Sequence, residues 1–163
     1  MKDKNIGFIG LGNVGSKIAN NILKDGYNLF VYDLNKNLAN KLIDKGAIWC
    51  DSNIDLIKKV SVFITCLPTP ESIKKTITNS LEFINSNHLW IEMSTTDENE
   101  MQQLANLVLN KNAEVLEAPI TGGQHRAESG NISILVGGKR KSFERAFPIL
   151  TLIGYKILHC GKI

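Results

Sequence analysis

The sequence predicts an α/β fold built on a doubly wound, mostly parallel sheet with helices on both faces. Three observations carry this prediction. Short apolar runs alternate with longer segments of helical period along the whole chain. One of these runs, residues 60–65, is almost continuously apolar, as in a strand covered on both faces. The first run, NIGFIG, passes directly into GLGNVG and then into a helix-period segment.

Each element has a local reason. Residues 6–9 read as the first strand. Residues 14–24 read as a helix with Ile18, Ile22 and Leu23 on one face, closed by Gly26. Asn28–Tyr32 is the second strand, residues 37–45 a second helix stopped at Gly46, and residues 47–50 a short third strand. Residues 54–59 supply one or two helical turns before the fourth strand at 60–65. Pro68 and Pro70 break the chain, and residues 71–81 form a helix that the β-branched stretch TITNS weakens. Residues 88–92 are the fifth strand. Residues 97–110 are a helix with Met101, Leu104, Ala105 and Val108 on one face. Residues 114–118, 132–136 and 156–159 are further strands. A helix over 142–150, made irregular by Pro148, joins the last two. No linker, charge block or repeat divides the chain, so residues 1–163 read as one domain.

The glycine-rich turn is informative because of its position. Strand, Gly10-Leu11-Gly12-Asn13-Val14-Gly15 and helix follow in the order of a dinucleotide-binding fingerprint. Gly10 permits the tight turn, Gly12 lets backbone approach a pyrophosphate, and Gly15 lets the helix sit close to the sheet. The helix start then favours the phosphates. Asp33 ends the second strand, 23 residues after Gly10. A carboxylate there can accept both hydroxyls of an adenosine ribose and repels a 2′-phosphate, which favours NAD, with NADP possible through nearby Lys36. The competing reading of Asp33 is a turn-forming residue. With these features the predicted fold is Rossmann-type.

Three polar or Pro-containing clusters follow strand ends. Leu67 and Pro68 in TCLPTP face the crevice and can wall a dinucleotide, or form a plain turn. Ser94 and Thr95 in EMSTTDE can face a nicotinamide or substrate, while Thr95 or Thr96 caps the following helix. In EAPITGGQHRAESGN, the amides around Thr121, Gly122 and Gly123 can hold a carboxylate, with Asn131 helping to orient it. The alternative is an ordinary Gly-Gly turn. No Gly-x-Ser-x-Gly elbow supports a hydrolase.

Composition narrows the remaining classes. Apolar residues are 43%, charged residues 21%, and the formal charge is +3. The basic spots Lys58-Lys59, Lys74-Lys75 and Lys139-Arg140-Lys141 lack interleaved aromatics, so no nucleic-acid partner is expected. No apolar run is long enough to span a membrane. The first strand begins within a few residues of Met1, which predicts no signal peptide. Cys50, Cys66 and Cys160 read as buried thiols of a reducing, cytoplasmic setting, and neither they nor the histidines have metal-site spacing.

Taken together, GFIGLGNVGSKIANNILKDG, VYDLNKN, TCLP, IEMSTT, EAPITGGQHRAESGNISILVGG and ILHCGKI resemble, in order, the 3-hydroxyisobutyrate dehydrogenase family of β-hydroxyacid dehydrogenases, relatives of 6-phosphogluconate dehydrogenase. The resemblance covers essentially the whole chain. It implies that Gly10, Leu11, Gly12, Asn13, Val14 and Gly15 bind the pyrophosphate and that Asp33 binds the adenosine ribose. It also implies that Leu67 and Pro68 contact the cofactor, that Thr95 lies beside the nicotinamide, and that Thr121, Gly122 and Gly123 receive the substrate; Ser94, by its place at the strand end, is a further substrate-binding candidate. Thr121 replaces the family's serine, Glu92 and Glu117 stand where aspartates are common, and Arg126 takes a place that is often glycine.

The family's catalytic lysine follows an H-x-G-x-x-G-x-G segment, of which only His159 and Gly161 fall within these 163 residues. None of Lys139, Lys141, Lys156 or Lys162 matches it. The resemblance therefore implies the NAD-binding domain of a hydroxyacid dehydrogenase, without the family's helical C-terminal domain and with no catalytic residue of its own. A small hydroxyacid would be the substrate of the intact parent, and a homodimer is possible. Reduction of tartronate, glyoxylate or succinic semialdehyde is the alternative chemistry. A non-catalytic dinucleotide-sensing or oligomerisation module is the alternative class.

Overall fold

The computed structural model describes residues 4–163; residues 1–3, ahead of the first strand, lie outside the described residues. Strand β1 (Asn5–Ile9) occupies the centre of the sheet between β2 (Asn28–Tyr32) and β4 (Val62–Thr65), parallel to both. Strand β3 (Ile48–Trp49) extends the sheet beyond β2. Strands β5 (Leu89–Glu92) and β6 (Glu114–Glu117) extend it beyond β4, all parallel. The resulting order β3-β2-β1-β4-β5-β6 is that of a doubly wound dinucleotide-binding sheet. Strand β8 (Ile132–Gly138) runs antiparallel to β6 and to the short β7 (Ile120–Thr121). Strand β9 (Gly154–Gly161) is parallel to β8 on its other side.

Alternation along the central strands sends side chains to two cores. Ile6, Phe8, Val62, Ile64, Leu89 and Ile91 meet Ile18 and Ile22 of α1 (Gly15–Lys24) and Ile149 and Leu150 of α7 (Arg140–Ile153). Ile9, Phe63 and Trp90 face the other way. There they meet α3 (Asn53–Ile57), α4 (Pro70–Ser80) and α5 (Glu98–Leu109) through Leu56, Ile73, Ile77, Met101 and Val108. Period-two alternation in strands and 3.6-residue periodicity in helices thus give one sheet with helices on both faces.

Several elements differ from the sequence expectation for local reasons. The helix expected over 37–45 is a 3-10 turn (Lys36–Ala39) followed by α2 (Asn40–Ile43). The Asn35 side chain accepts from the Asn37 N–H and starts the tighter turn. Helix α5 is capped by Asp97, not by Thr95 or Thr96; its Oδ1 accepts from the N–H of Asn99 at 2.9 Å. Helix α7 runs unbroken from Arg140 past Pro148 to Ile153. Proline removes one backbone donor, but buried Phe143, Ala146, Ile149, Leu150 and Ile153 hold both halves on the sheet. The loop after β7 contains a helix, α6 (Gly123–Glu128), which the paired glycines concealed. Cys50 is buried and Cys66 partly so, but Cys160 is exposed on the edge strand β9, where alternate residues point outward. Among the described residues no helix is long and apolar enough to cross a membrane.

Candidate functional site

A crevice of about 900 Å³ opens beyond the carboxyl ends of β1, β2, β4 and β5. This is the point where the strand order reverses, the usual ligand position in open parallel sheets. Its size suits a small-molecule site.

The phosphate-sized end is made of backbone. Gly10 leaves β1 with φ +98°, and its N–H donates to the Tyr32 carbonyl at 3.0 Å. A Cβ on Gly15 would collide with the Gly10 carbonyl group, whose carbon lies only 3.1 Å away, so glycine is what lets α1 start against β1. A Cβ on Gly12 would meet nothing within 4 Å, because it would project into the crevice. Helix α1 begins at Gly15 with no side-chain cap and no acidic residue in its first turn. By contrast, α3, α4 and α5 are capped by Ser52, Thr69 and Asp97. The N–H groups of Asn13, Val14 and Gly15 have no acceptor among the described residues. Uncapped amides at a helix start, beneath open space, fit an anionic diphosphate.

Asp33 stands where β2 enters the crevice. The Leu11 N–H donates to Asp33 Oδ2 at 2.7 Å and the Asn35 N–H to Oδ1 at 2.8 Å. Both bonds fix the carboxylate and still leave lone pairs for further donors. Leu11, expected on the phosphate wall, is instead buried with its amide committed to Asp33. Lys36 places its ammonium over Trp49, 5.3 Å from the ring centroid, and is not on the crevice wall.

The middle of the crevice is walled by Leu67 and Pro68 after β4 and by Ser94 and Thr95 after β5. The Leu67 N–H donates to Ser94 Oγ at 2.8 Å, and the Ser94 N–H donates to Glu92 Oε1 at 2.5 Å. The Thr65 hydroxyl donates to Glu92 Oε2 and accepts from Trp90 Nε1 at 2.7 Å. Glu92 is wholly buried, and desolvation pushes its carboxyl up to about 7 against the pull of these hydrogen bonds. With Asp97 as cap, Thr96 Oγ1 is shielded and unpartnered among the described residues.

Thr121 and Gly123 line the far end, but Gly122 does not. Gly122 has φ +135° and lies under the Arg126 stem; a Cβ would come 2.8 Å from Arg126 Cδ. The two glycines therefore form the cap and first residue of α6 instead of one paired amide nest. Asn131 and His125 are also off the wall. The Asn131 N–H closes α6 onto the Arg126 carbonyl at 2.8 Å.

Sequence reasoning missed the opposite wall: Asn53, and Ser72, Lys75, Thr76 and Asn79 of α4. Their three-to-four-residue spacing on one helix face was the available signal.

The model of the NAD-binding domain of 6-phosphogluconate dehydrogenase matches residues 5–161. A probable mitochondrial 3-hydroxyisobutyrate dehydrogenase of Dictyostelium discoideum is 32% identical over 163 residues, covering 98% of this chain and 51% of that protein. The chain belongs to the family of NAD-binding domains of 6-phosphogluconate dehydrogenase. An uncharacterized oxidoreductase of Bacillus subtilis, YkwC, is 35% identical over 97% of this chain and 56% of its own length. The solved 3-hydroxyisobutyrate dehydrogenase of Mycobacterium tuberculosis, with L-serine, superposes with a TM-score of 0.94 at 28% identity, over 99% of this chain and 55% of that one. The chain thus spans about half the length of the relatives it matches. By its match to that family it is an NAD-binding domain of a dehydrogenase family.

Proposed function

We propose that these 163 residues form the cofactor half of an NAD-dependent dehydrogenase acting on a small β-hydroxyacid such as 3-hydroxyisobutyrate. One observation carries the reading. The crevice runs without interruption from Asp33, over the open face of Gly12 and the uncapped start of α1, to Ser94, Thr95 and Thr121. Asp33 would bind the adenosine ribose, and its charge together with the diversion of Lys36 onto Trp49 favours NAD over NADP. The amides of Asn13, Val14 and Gly15 would bind the diphosphate, with Gly10 shaping the turn. Leu67 and Pro68 would wall the cofactor and Thr95 would border the nicotinamide, while Ser94 holds Leu67. Thr121 and the Gly123 end of α6 would receive the substrate carboxylate. Bound NAD supplies the hydride acceptor. The chain's own contribution is orientation of the reacting groups, and the proton transfer is assigned to a lysine outside these residues.

A paired NADH and NADPH titration of the 163-residue chain, read by quenching of Trp49 and Trp90 or by calorimetry, tests the binding reading. NADH is expected to bind more tightly. Tighter NADPH would overturn the role given to Asp33, and no binding to folded protein would overturn the whole reading. Steady turnover of 3-hydroxyisobutyrate with NAD by these residues alone would overturn the assignment of proton transfer.

A further inference from the structure

Beneath the crevice, the binding reading leaves one group unused. Glu92 has no exposure, and no cationic side chain among the described residues pairs with it. Through Ser94 it is connected to Leu67, and through Thr65 to Trp90. These contacts join the loop after β4 to the loop after β5. We infer that Glu92 is a positioning residue whose ionised carboxylate holds the Leu67–Ser94 arrangement ready for the nicotinamide half of the dinucleotide, and whose protonation weakens binding of that half. The inference rests on the dinucleotide reading proposed above.

Donor and acceptor accounting supports it. The Ser94 N–H can only donate, so a proton on Glu92 Oε1 would set donor against donor. A proton on Oε2 would make Thr65 Oγ1 accept from both Glu92 and Trp90. The threonine's own proton would then have no acceptor among the described residues. The network is complete only with the carboxylate charged.

The surroundings make that charge easy to lose. Burial raises the carboxyl to about 7, and Glu117, its register partner on β6, acts in the same direction. Glu117 is itself raised by burial and by Glu98 on α5. On the β4 side the titratable neighbour is Cys66, whose thiol burial pushes up to about 12. None of these neighbours offers a compensating positive charge.

The test compares NADH with ADP-ribose, which lacks the nicotinamide, between pH 6 and 8.5. The emission of Trp90 is followed in a Trp49→Phe background. Loss of one hydrogen bond to a charged group predicts NADH affinity about tenfold weaker at the acid end, with ADP-ribose changed by less than about twofold. Trp90 emission should shift over the same midpoint. Glu92→Gln should abolish both pH dependences, and Glu92→Asp should retain a midpoint. The wild-type profile decides the matter if the Gln variant does not fold. A pH-independent NADH affinity, or a Gln variant with the wild-type midpoint, would overturn the inference while leaving the dinucleotide reading intact. Failure of both nucleotides to bind at pH 8.5 would overturn the two together.

Discussion

Gly12→Ala and Gly15→Ala place the same methyl group three residues apart on one turn, and the structure assigns them different consequences. At Gly12 the new Cβ would have no neighbour within 4 Å, and the backbone is not in the left-handed region. Folding should then be unchanged or improved by about 0.4–1 kcal/mol, because alanine restricts the unfolded chain. The methyl would occupy the surface over which a diphosphate has to pass, and NADH affinity is expected to fall at least about tenfold, or ~1.4 kcal/mol. At Gly15 the Cβ would run into the Gly10 carbonyl group and come 3.3 Å from Phe8 Cε1. The obstruction is main chain and cannot rotate away. Overpacking of this kind costs about 1–3 kcal/mol or more, against about 1 kcal/mol of gained helix propensity.

Thermal melts and NADH titrations of the two variants and the parent separate these effects. For a chain of this size each kcal/mol moves Tm by about 2–4 °C, so the Gly15 variant should melt several degrees below the parent. Gly12→Ala with parental stability and parental NADH affinity would refute the placement of the diphosphate. Gly12→Ala as unstable as Gly15→Ala would refute the claim that its Cβ direction is open.

Asp33→Asn keeps one acceptor but turns an N–H donor toward a neighbouring amide. NADH affinity should drop about tenfold, as for loss of a charged hydrogen bond, and the NADH/NADPH preference should narrow in paired titrations. Glu92 also makes stability depend on pH. Its carboxyl sits near 7 in the fold against an ordinary 4.5, so the folded state holds the proton more tightly than the unfolded chain. Stability should therefore fall as pH rises from about 4.5 to about 7 and then level off, by about 3 kcal/mol at 1.4 kcal/mol per unit. Urea melts of wild type should show this slope and those of Glu92→Gln should lack it. Asn21→Ala removes the 2.8 Å bond from buried Asn21 Nδ2 to the Ala127 carbonyl. It should cost about 0.5–1.5 kcal/mol in urea melts, the net worth of one hydrogen bond, because the carbonyl keeps only the longer 3.4 Å bond from the Gly130 N–H.

Legibility in the sequence followed how locally each feature is determined. Strands β1, β4 and β5 were legible because their apolar runs are short, bounded and buried on both faces, and β2 because its apolar run is short and bounded, with Leu29 and Val31 buried. Gly10, Gly12 and Gly15 were legible because a turn between a strand and a helix imposes steric demands that only glycine meets. The extent of α7 was not. Whether a helix passes through Pro148 depends on what the flanking turns bury, and Ile149, Leu150 and Ile153 bury against strands distant in the chain. The cap of α5 went to Asp97 because the chain's exit direction from β5 decides which of four adjacent polar side chains faces the free amides.

The same distinction divides the crevice. Its phosphate end is backbone and could be read from glycine spacing. Its middle is held by side chains from two strand ends, Thr65 of β4 and Trp90 and Glu92 of β5 with Ser94 just beyond, which only the β4–β5 register brings together. A glutamate on an apolar strand carries no local mark of that role, because the sequence does not display the burial that raises its proton affinity or the donors that oppose it. The two ends should therefore respond to different perturbations. Steric change at Gly12 should weaken every ligand that carries the diphosphate. Protonation of Glu92 should act on the nicotinamide half alone, so the ratio of NADH to ADP-ribose affinity is the quantity that tells a rigid backbone cradle from an ionisable one beside it.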